Sequence, residues 1–226
     1  MGGQACVFYG ATQFSKDVDL VILADDENFG RLHAALSELK ADRIAVPTFD
    51  ADILATGHAV HYRCRVPEAS GLRIDVMTQL RNLPDFRALW ERRTNFDESK
   101  FNLLCLPDLI QSSKTQMTKH WPVIELLGAI HYRENFQDPR PDWVEFWLLD
   151  LRTPETLLEL TTRFPAETAT LLPRRPLLTH AISGDLDTLR TELDAEVRRE
   201  QAKDRAYWEP LKRELEAFRR AERGVD

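Results

Sequence analysis

At 226 residues and 26.1 kDa, with 43% hydrophobic and 30% charged residues, the chain has the make-up of an ordinary globular protein, long enough for one large domain or two small ones. No apolar run approaches the ~20 residues of a membrane span, and the N-terminus lacks the basic segment and long apolar core of a secretory signal. A formal net charge of −7 gives no broad electrostatic help to nucleic-acid binding, and leaves room only for a local basic groove.

Met1-Gly2-Gly3 opens the chain, and Cys6 to Tyr9 with Ala11 begin a helix behind the glycine pair. Asp17 to Ala24 reads as a strand. In extended backbone, residues i and i+2 share a face, so Asp17 and Asp19 stand side by side while Val18 and Leu20 turn to the core. Two ionised carboxylates on one strand face repel and are costly unless a cation lies between them. An oxygen-only ligand set suits Mg²⁺ or Mn²⁺ rather than zinc. The pair alone proves little, because the chain has three Asp-x-Asp matches and its composition gives roughly one or two by chance. Context separates them. Only Asp17/Asp19 runs into an apolar, strand-like series. Asp185/Asp187 stands at a helix start, where acids cap and complement the dipole, and Asp50/Asp52 after Pro47 marks the start of a short helix.

Asn28 to Lys40 is helical, with Phe29, Leu32, Leu36 and Leu39 at helical spacing. Arg43 to Val46 is a short strand. Gly57 to Val66 and Leu72 to Met77 form a strand pair joined by the turn-rich Pro67 to Gly71. On its second strand Leu72, Ile74 and Val76 make one apolar face, and Asp75 points the other way. A surface Asp on such a strand is common; beside a two-acid strand of the same sheet it becomes a candidate third metal ligand. His58 and His61, three apart, read as packing residues on opposite sides rather than a metal pair. Asp85 to Trp90 is helical, and Arg93 to Leu106 supplies edge strands. Cys6, Cys64 and Cys105, an odd and scattered set with no CxxC, are the free thiols expected in a reducing cytosol.

From Pro107 the pattern is helical almost to the end. A first helix carries Leu109, Ile110, Ser113, Lys114 and Met117, and a second carries Val123, Leu126, Leu127 and Ile130. Trp143 to Leu151 is a third, with Trp121, Trp143 and Trp147 as packing residues, and Thr153-Pro154 opens a fourth. A last helix runs from about Asp185 to Arg223. The expected class is α+β: residues 1–106 form a small mixed sheet with helices, and 107–226 a helical region ending in a long amphipathic helix.

These residues resemble the nucleotidyltransferase superfamily that includes DNA polymerase beta. Its signature is an apolar residue, Gly, Gly or Ser, a spacer of nine to thirteen, then Asp-apolar-Asp/Glu-apolar. Here Met1-Gly2-Gly3 is followed by thirteen residues and Asp17-Val18-Asp19-Leu20. Asp75, in Arg73-Ile74-Asp75-Val76-Met77, stands in the place of the third acid on a later strand. These motifs span the first third of the chain. The run Leu106 to Ile124 is similar to uncharacterised bacterial nucleotidyltransferase-like proteins, which commonly read Lys-Thr-Gln-Arg-x-Lys-Asp-Trp-Pro there, and the likeness extends to Gly2–Cys6 and His58–Cys64. Abortive-infection and toxin–antitoxin enzymes are more distant relatives by the same features. Lys114 and Lys119 are kept, whereas Met117 and His120 replace the Arg and Asp. The superfamily has a helix and a strand before its glycine pair, and Met1 falls where that strand ends, so the first element is expected to be lacking.

The resemblance implies that Asp17, Asp19 and Asp75 hold two Mg²⁺ (or Mn²⁺) ions and that Asp75 accepts the proton of the acceptor hydroxyl. It implies that Gly2 and Gly3 bring backbone N–H groups to the β and γ phosphates of an NTP. Ser15 adds a donor, and Lys114 and Lys119 neutralise the triphosphate. The implied cytoplasmic activity is transfer of a nucleoside monophosphate from an NTP to a hydroxyl on a nucleic-acid end, a protein or a small molecule. The alternative is a catalytically degenerate binding protein, one partner of a toxin–antitoxin-like pair. Met117, His120 and the short start favour that alternative.

Overall fold

The computed structural model describes residues 1–97 and 100–224. The fold is mixed α+β, with a small mixed sheet followed by a helical region, and the chain divides into two compact units. One comprises Met1–Ser112 with Arg205–Asp226, the other Ser113–Asp204. Among the described residues no helix is long and apolar enough to cross a membrane.

In the first unit the order is α1 (Gly2–Phe8), β1 (Asp17–Val21), α2 (Asp26–Glu38), β2 (Asp42–Arg43), α3 (Ala51–Ala55), β3 (Val60–Arg63), β4 (Arg73–Met77), α4 (Phe86–Glu91), β5 (Thr94–Phe96), β6 (Phe101–Leu103) and α5 (Leu106–Ser113). The main sheet runs β1-β4-β3-β2. β1 lies parallel to β4, and β3 is antiparallel to both β4 and β2. The alternation expected from the sequence puts Val60 and Tyr62 of β3 and Ile74 and Val76 of β4 on one face. There they are buried with Leu32 and Leu36 of α2 and Leu54 of α3. Each such side chain contributes about 1.5–3 kcal/mol on burial, which leaves the opposite face free to carry polar groups. Aspartates start the helices: Asp25 accepts from the Asn28 N–H at 2.7 Å, Asp50 from Asp52 and Ile53, and Asp85 from Ala88.

The segment Arg93 to Leu106 does not extend the main sheet. β5 and β6 pair only with each other, because their aromatic and hydroxyl groups are engaged by α1 and the residue after it. Phe8 meets Phe96 and Phe101 at centroid distances of 5.6 and 5.1 Å, and the Tyr9 hydroxyl lies 2.8 Å from both Thr94 Oγ1 and the Leu104 carbonyl.

In the second unit α6 (Trp121–Asn135), α7 (Pro141–Asp150), α8 (Pro154–Arg163), α9 (Pro165–Leu171) and α10 (Leu178–Ser183) precede α11 (Leu186–Arg223). Proline occupies the first turn of α6 to α9, where its missing N–H costs nothing. Trp147, Leu148, Leu157, Leu160, Leu178 and Leu189 are fully buried. Arg175 is buried with them, its guanidinium donating to the Leu148 and Leu151 carbonyls and to both Glu196 oxygens. All three guanidinium nitrogens donate, and the carboxylate supplies the counter-charge that a buried cation needs.

The boundary expected after 106 therefore falls at 112, and the last part of α11 belongs with the sheet. The cause is local packing around Gly57. A Cβ there would lie 2.6 Å from the Tyr207 hydroxyl, His58 Nε2 is 2.8 Å from Glu214, and Arg43 reaches Glu222 at 2.7 Å.

Candidate functional site

The face of the sheet opposite the core is built by strand register. On parallel neighbours Asp17 pairs with Arg73 and Asp19 with Asp75. Across the antiparallel ladder His61 pairs with Asp75 and Arg63 with Arg73. Directly opposite residues share a face, so Asp19, Asp75 and His61 form one row across three strands, spaced by about 4.8 Å. Asp17, Arg73 and Arg63 form the row beside it. The three acids are thus brought together on one face, with Asp17 exposed and Asp19 and Asp75 increasingly enclosed.

Asp75 Oδ1 lies 2.8 Å from His61 Nδ1 and accepts from Arg73 Nε at 2.7 Å. A carboxylate can only accept, so Nδ1 carries the imidazole proton. Arg73 Nη2, 3.1 Å from that nitrogen, is then a second donor against a donor. Both bonds use Oδ1, and among the described residues Asp75 Oδ2 has no hydrogen-bond partner. Burial pushes the Asp75 carboxyl up, but the bonds from His61 and Arg73 outweigh it and hold the group below the usual carboxylate range. Asp19 moves the other way. Burial raises it first and the charges of Asp75 and Asp17 add, while the Met1 amine and the Gly3 N–H oppose them.

Gly2 and Gly3 bring the start of α1 onto this row. Gly2 has φ +62°, and a Cβ there would fall 1.7 Å from Asp19 Oδ2; one on Gly3 would fall 2.3 Å from Ser15 Oγ. The Met1 amine donates to the Asp19 carbonyl at 2.8 Å. Only glycine permits this approach. Ser15 Oγ donates to the Asp17 carbonyl at 2.9 Å and accepts from the Asp17 N–H at 3.2 Å, and Gln4 Nε2 donates to the Ser15 carbonyl. Ser15 therefore fixes the entry into β1.

No protein-family model, curated protein or solved structure matches the chain.

Three carboxylates on one face, with no sulfur and one imidazole already engaged, are a hard-oxygen set of the kind Mg²⁺ prefers. Asp75 keeps an oxygen open, and Asp19, raised first by burial and then by the charges of Asp75 and Asp17, is a carboxyl whose ionised form a divalent cation would stabilise. The donor set fits such an ion. Among the described residues no three His, Cys, Asp or Glu groups stand in metal-holding geometry.

Lys114 and Lys119 do not share a helix. α5 ends at Ser113, and Lys119 is exposed in a 3₁₀ turn, Thr118–His120. Competing bonds stop the helix. Asp204 accepts the Gln116 N–H at 2.8 Å, Thr115 Oγ1 lies 2.8 Å from His120 Nδ1, and Trp121 Nε1 donates to the Thr115 carbonyl. Lys114 lies in the second unit, paired with Asp150 at 2.6 Å, whereas the three acids belong to the first.

His61 does more than pack. The sequence carried a signal for it: with Val60 and Tyr62 as the inward residues of β3 and Ile74 and Val76 of β4, His61 and Asp75 are both outward and share a face.

Proposed function

We propose that this protein is a metal-dependent nucleotidyltransferase of the polymerase-beta type, moving a nucleoside monophosphate from an NTP to a hydroxyl acceptor. The observation that supports this most is the β1–β4 register, which sets Asp19 against Asp75 with Asp17 on the same face and a glycine-only helix start against Asp19. In the reaction the acceptor oxygen bonds to the α-phosphorus, the bond to the leaving pyrophosphate breaks, and the hydroxyl proton passes by way of Asp75 Oδ2 to solvent water. Asp17, Asp19 and Asp75 would hold the divalent ions, Mg²⁺ or Mn²⁺. When bound, such a pair stabilises the charge on the entering and leaving oxygens. Asp75, kept ionised by Arg73 and His61, offers Oδ2 to a metal or to the acceptor hydroxyl. A carboxylate shifted downward is a weaker base than an ordinary one, which favours charge and ligation as its contribution over proton storage. Gly2 and Gly3 orient α1, with Ser15 beside them, on the β1 side of the acids, the side assigned to the triphosphate.

A second reading, a nucleotide-binding protein without catalysis and with a protein partner, is favoured by the tie of Asp75 to Arg73 and His61. One experiment separates the two. ATP, GTP, CTP and UTP are tested for thermal stabilisation with and without Mg²⁺, and for labelled transfer and pyrophosphate release. The enzyme reading expects Mg²⁺-dependent binding and release with at least one NTP, both lost in Asp19→Asn. Binding without release supports the second reading. No Mg²⁺-dependent stabilisation by any NTP removes both.

A further inference from the structure

Arg63 and Arg73 stand directly opposite each other on β3 and β4, on the face that carries the acids. Like charges in that position destabilise a sheet unless something anionic lies between them. Arg73 is partly answered by Asp75 at 2.7 Å. Arg63 is not. Its neighbour across the other ladder, Asp42, is taken by Arg65 at 2.8 Å. Arg63 is exposed and makes no ion pair or side-chain hydrogen bond among the described residues. An unanswered guanidinium beside a second one is a fork pair suited to phosphate oxygens.

We propose that Arg63, with Arg73, is a subsite for a phosphate group carried by the acceptor, close to the hydroxyl that reacts. The proposal rests on the nucleotidyl-transfer reading above. Position is what assigns the phosphate to the acceptor and not to the NTP. The glycine-led helix start and Ser15 crowd the β1 side of the acid row. Arg63 lies two strands away on β3, about 10 Å across the sheet. In-line transfer needs donor and acceptor on opposite sides of the transferred phosphorus. Asp75, on β4, stands between the two sides, and His61 lies on β3 beside Arg63. The chemistry named is a phosphate next to a free hydroxyl, as on the end of a nucleic-acid strand or on a sugar phosphate.

The test is binding, with no turnover required. A labelled trinucleotide with a free 3′ hydroxyl and, separately, ribose 5-phosphate are titrated onto wild type, Arg63→Ala, Arg63→Glu and, as a control, Arg31→Glu on α2. The same proteins are titrated with a non-hydrolysable NTP analogue and Mg²⁺. Expected is a loss of about tenfold or more in affinity for at least one phosphorylated acceptor in Arg63→Glu, a smaller loss in Arg63→Ala, and little change in Arg31→Glu. Affinity for the Mg²⁺–NTP analogue should stay within about twofold throughout. Which acceptor responds tells a nucleic-acid end from a small sugar phosphate. The proposal is overturned if wild type binds neither acceptor, if Arg63→Glu binds both as wild type does, if Arg31→Glu weakens them equally, or if NTP affinity falls in parallel. Acceptor binding that depends on Arg63 in a protein that binds no NTP would instead retire the nucleotidyl-transfer reading and leave the phosphate site standing.

Discussion

Asp19 and Asp75 stand directly opposite each other on β1 and β4, yet their carboxyls are displaced in opposite directions. Burial acts against both charges. Asp75 has two donors on Oδ1 that reverse it, whereas Asp19 has acids beside it that reinforce it. Neutralising each should therefore have opposite consequences. Asp19→Asn relieves repulsion and is expected to raise the melting temperature at neutral pH. Asp75→Asn strips the charged partner from Arg73 and His61 and should cost about 1–2 kcal/mol, the lower end applying because Arg73 is partly solvated. Thermal unfolding of the two variants at pH 7 checks this. Equal shifts of the same sign would remove the asymmetry.

The same pair sets a pH dependence. Asp75 has a folded-state pKa below its ordinary 3.8, so its stabilisation is complete above that value and is lost as pH falls through the lowered one. Asp19 lies above 3.8 when folded, so the folded state gains from its protonation as pH falls through the raised value. Urea unfolding followed from about pH 6 to pH 3 should show Asp75→Asn with a shallower acid loss than wild type and Asp19→Asn with a steeper one. Parallel curves for all three proteins would show that neither carboxyl is linked to folding.

Much of the acid-bearing sheet was legible in the sequence because period-2 alternation is a backbone property. Leu72, Ile74 and Val76 announce one face, Asp75 the other, and α2 and α11 begin and end within two residues of where apolar spacing and Asp caps place them. What alternation does not reveal is which strands become neighbours. The parallel pairing of β1 with β4, and with it the contact of Asp19 and Asp75, joins residues far apart in sequence. β5–β6 as a separate ladder and the return of α11 to Gly57 and His58 are likewise long-range choices made by side chains such as Tyr9, Tyr207 and Glu214. Lys114 was lost to competition: the helical spacing of Leu109 to Met117 continues on paper, but Asp204, more than eighty residues on, takes the backbone N–H of Gln116.

The glycine pair makes a steric prediction. Gly2→Ala places a methyl 1.7 Å from Asp19 Oδ2 at φ +62°, so both contact and backbone oppose it. A loss of more than about 1 kcal/mol is expected, and Asp19→Ala combined with Gly2→Ala should recover the contact part and leave only the backbone part. The coupling is read from the double-mutant cycle in urea unfolding. A Gly2→Ala variant as stable as wild type would mean that the start of α1 does not lie on Asp19.

Lys114 is the remaining residue whose assigned role and observed partner differ. The resemblance gives it the triphosphate; the structure pairs it with Asp150 at 2.6 Å, both side chains largely enclosed. Removing one member of an enclosed pair strands the other without a counter-charge, at a cost on the order of 3 kcal/mol. Lys114→Ala should therefore destabilise the protein strongly, and Asp150→Ala should do so comparably. The double variant should lose less than the sum, because no charge is left unanswered. A role in triphosphate binding predicts a different pattern: Lys114→Ala would lose NTP affinity while its melting temperature held. Urea unfolding of the four proteins, together with calorimetric titration of Mg²⁺–NTP, distinguishes the two. Additive losses in the cycle, or a Lys114→Ala protein as stable as wild type, would show that the pair is not what holds this lysine.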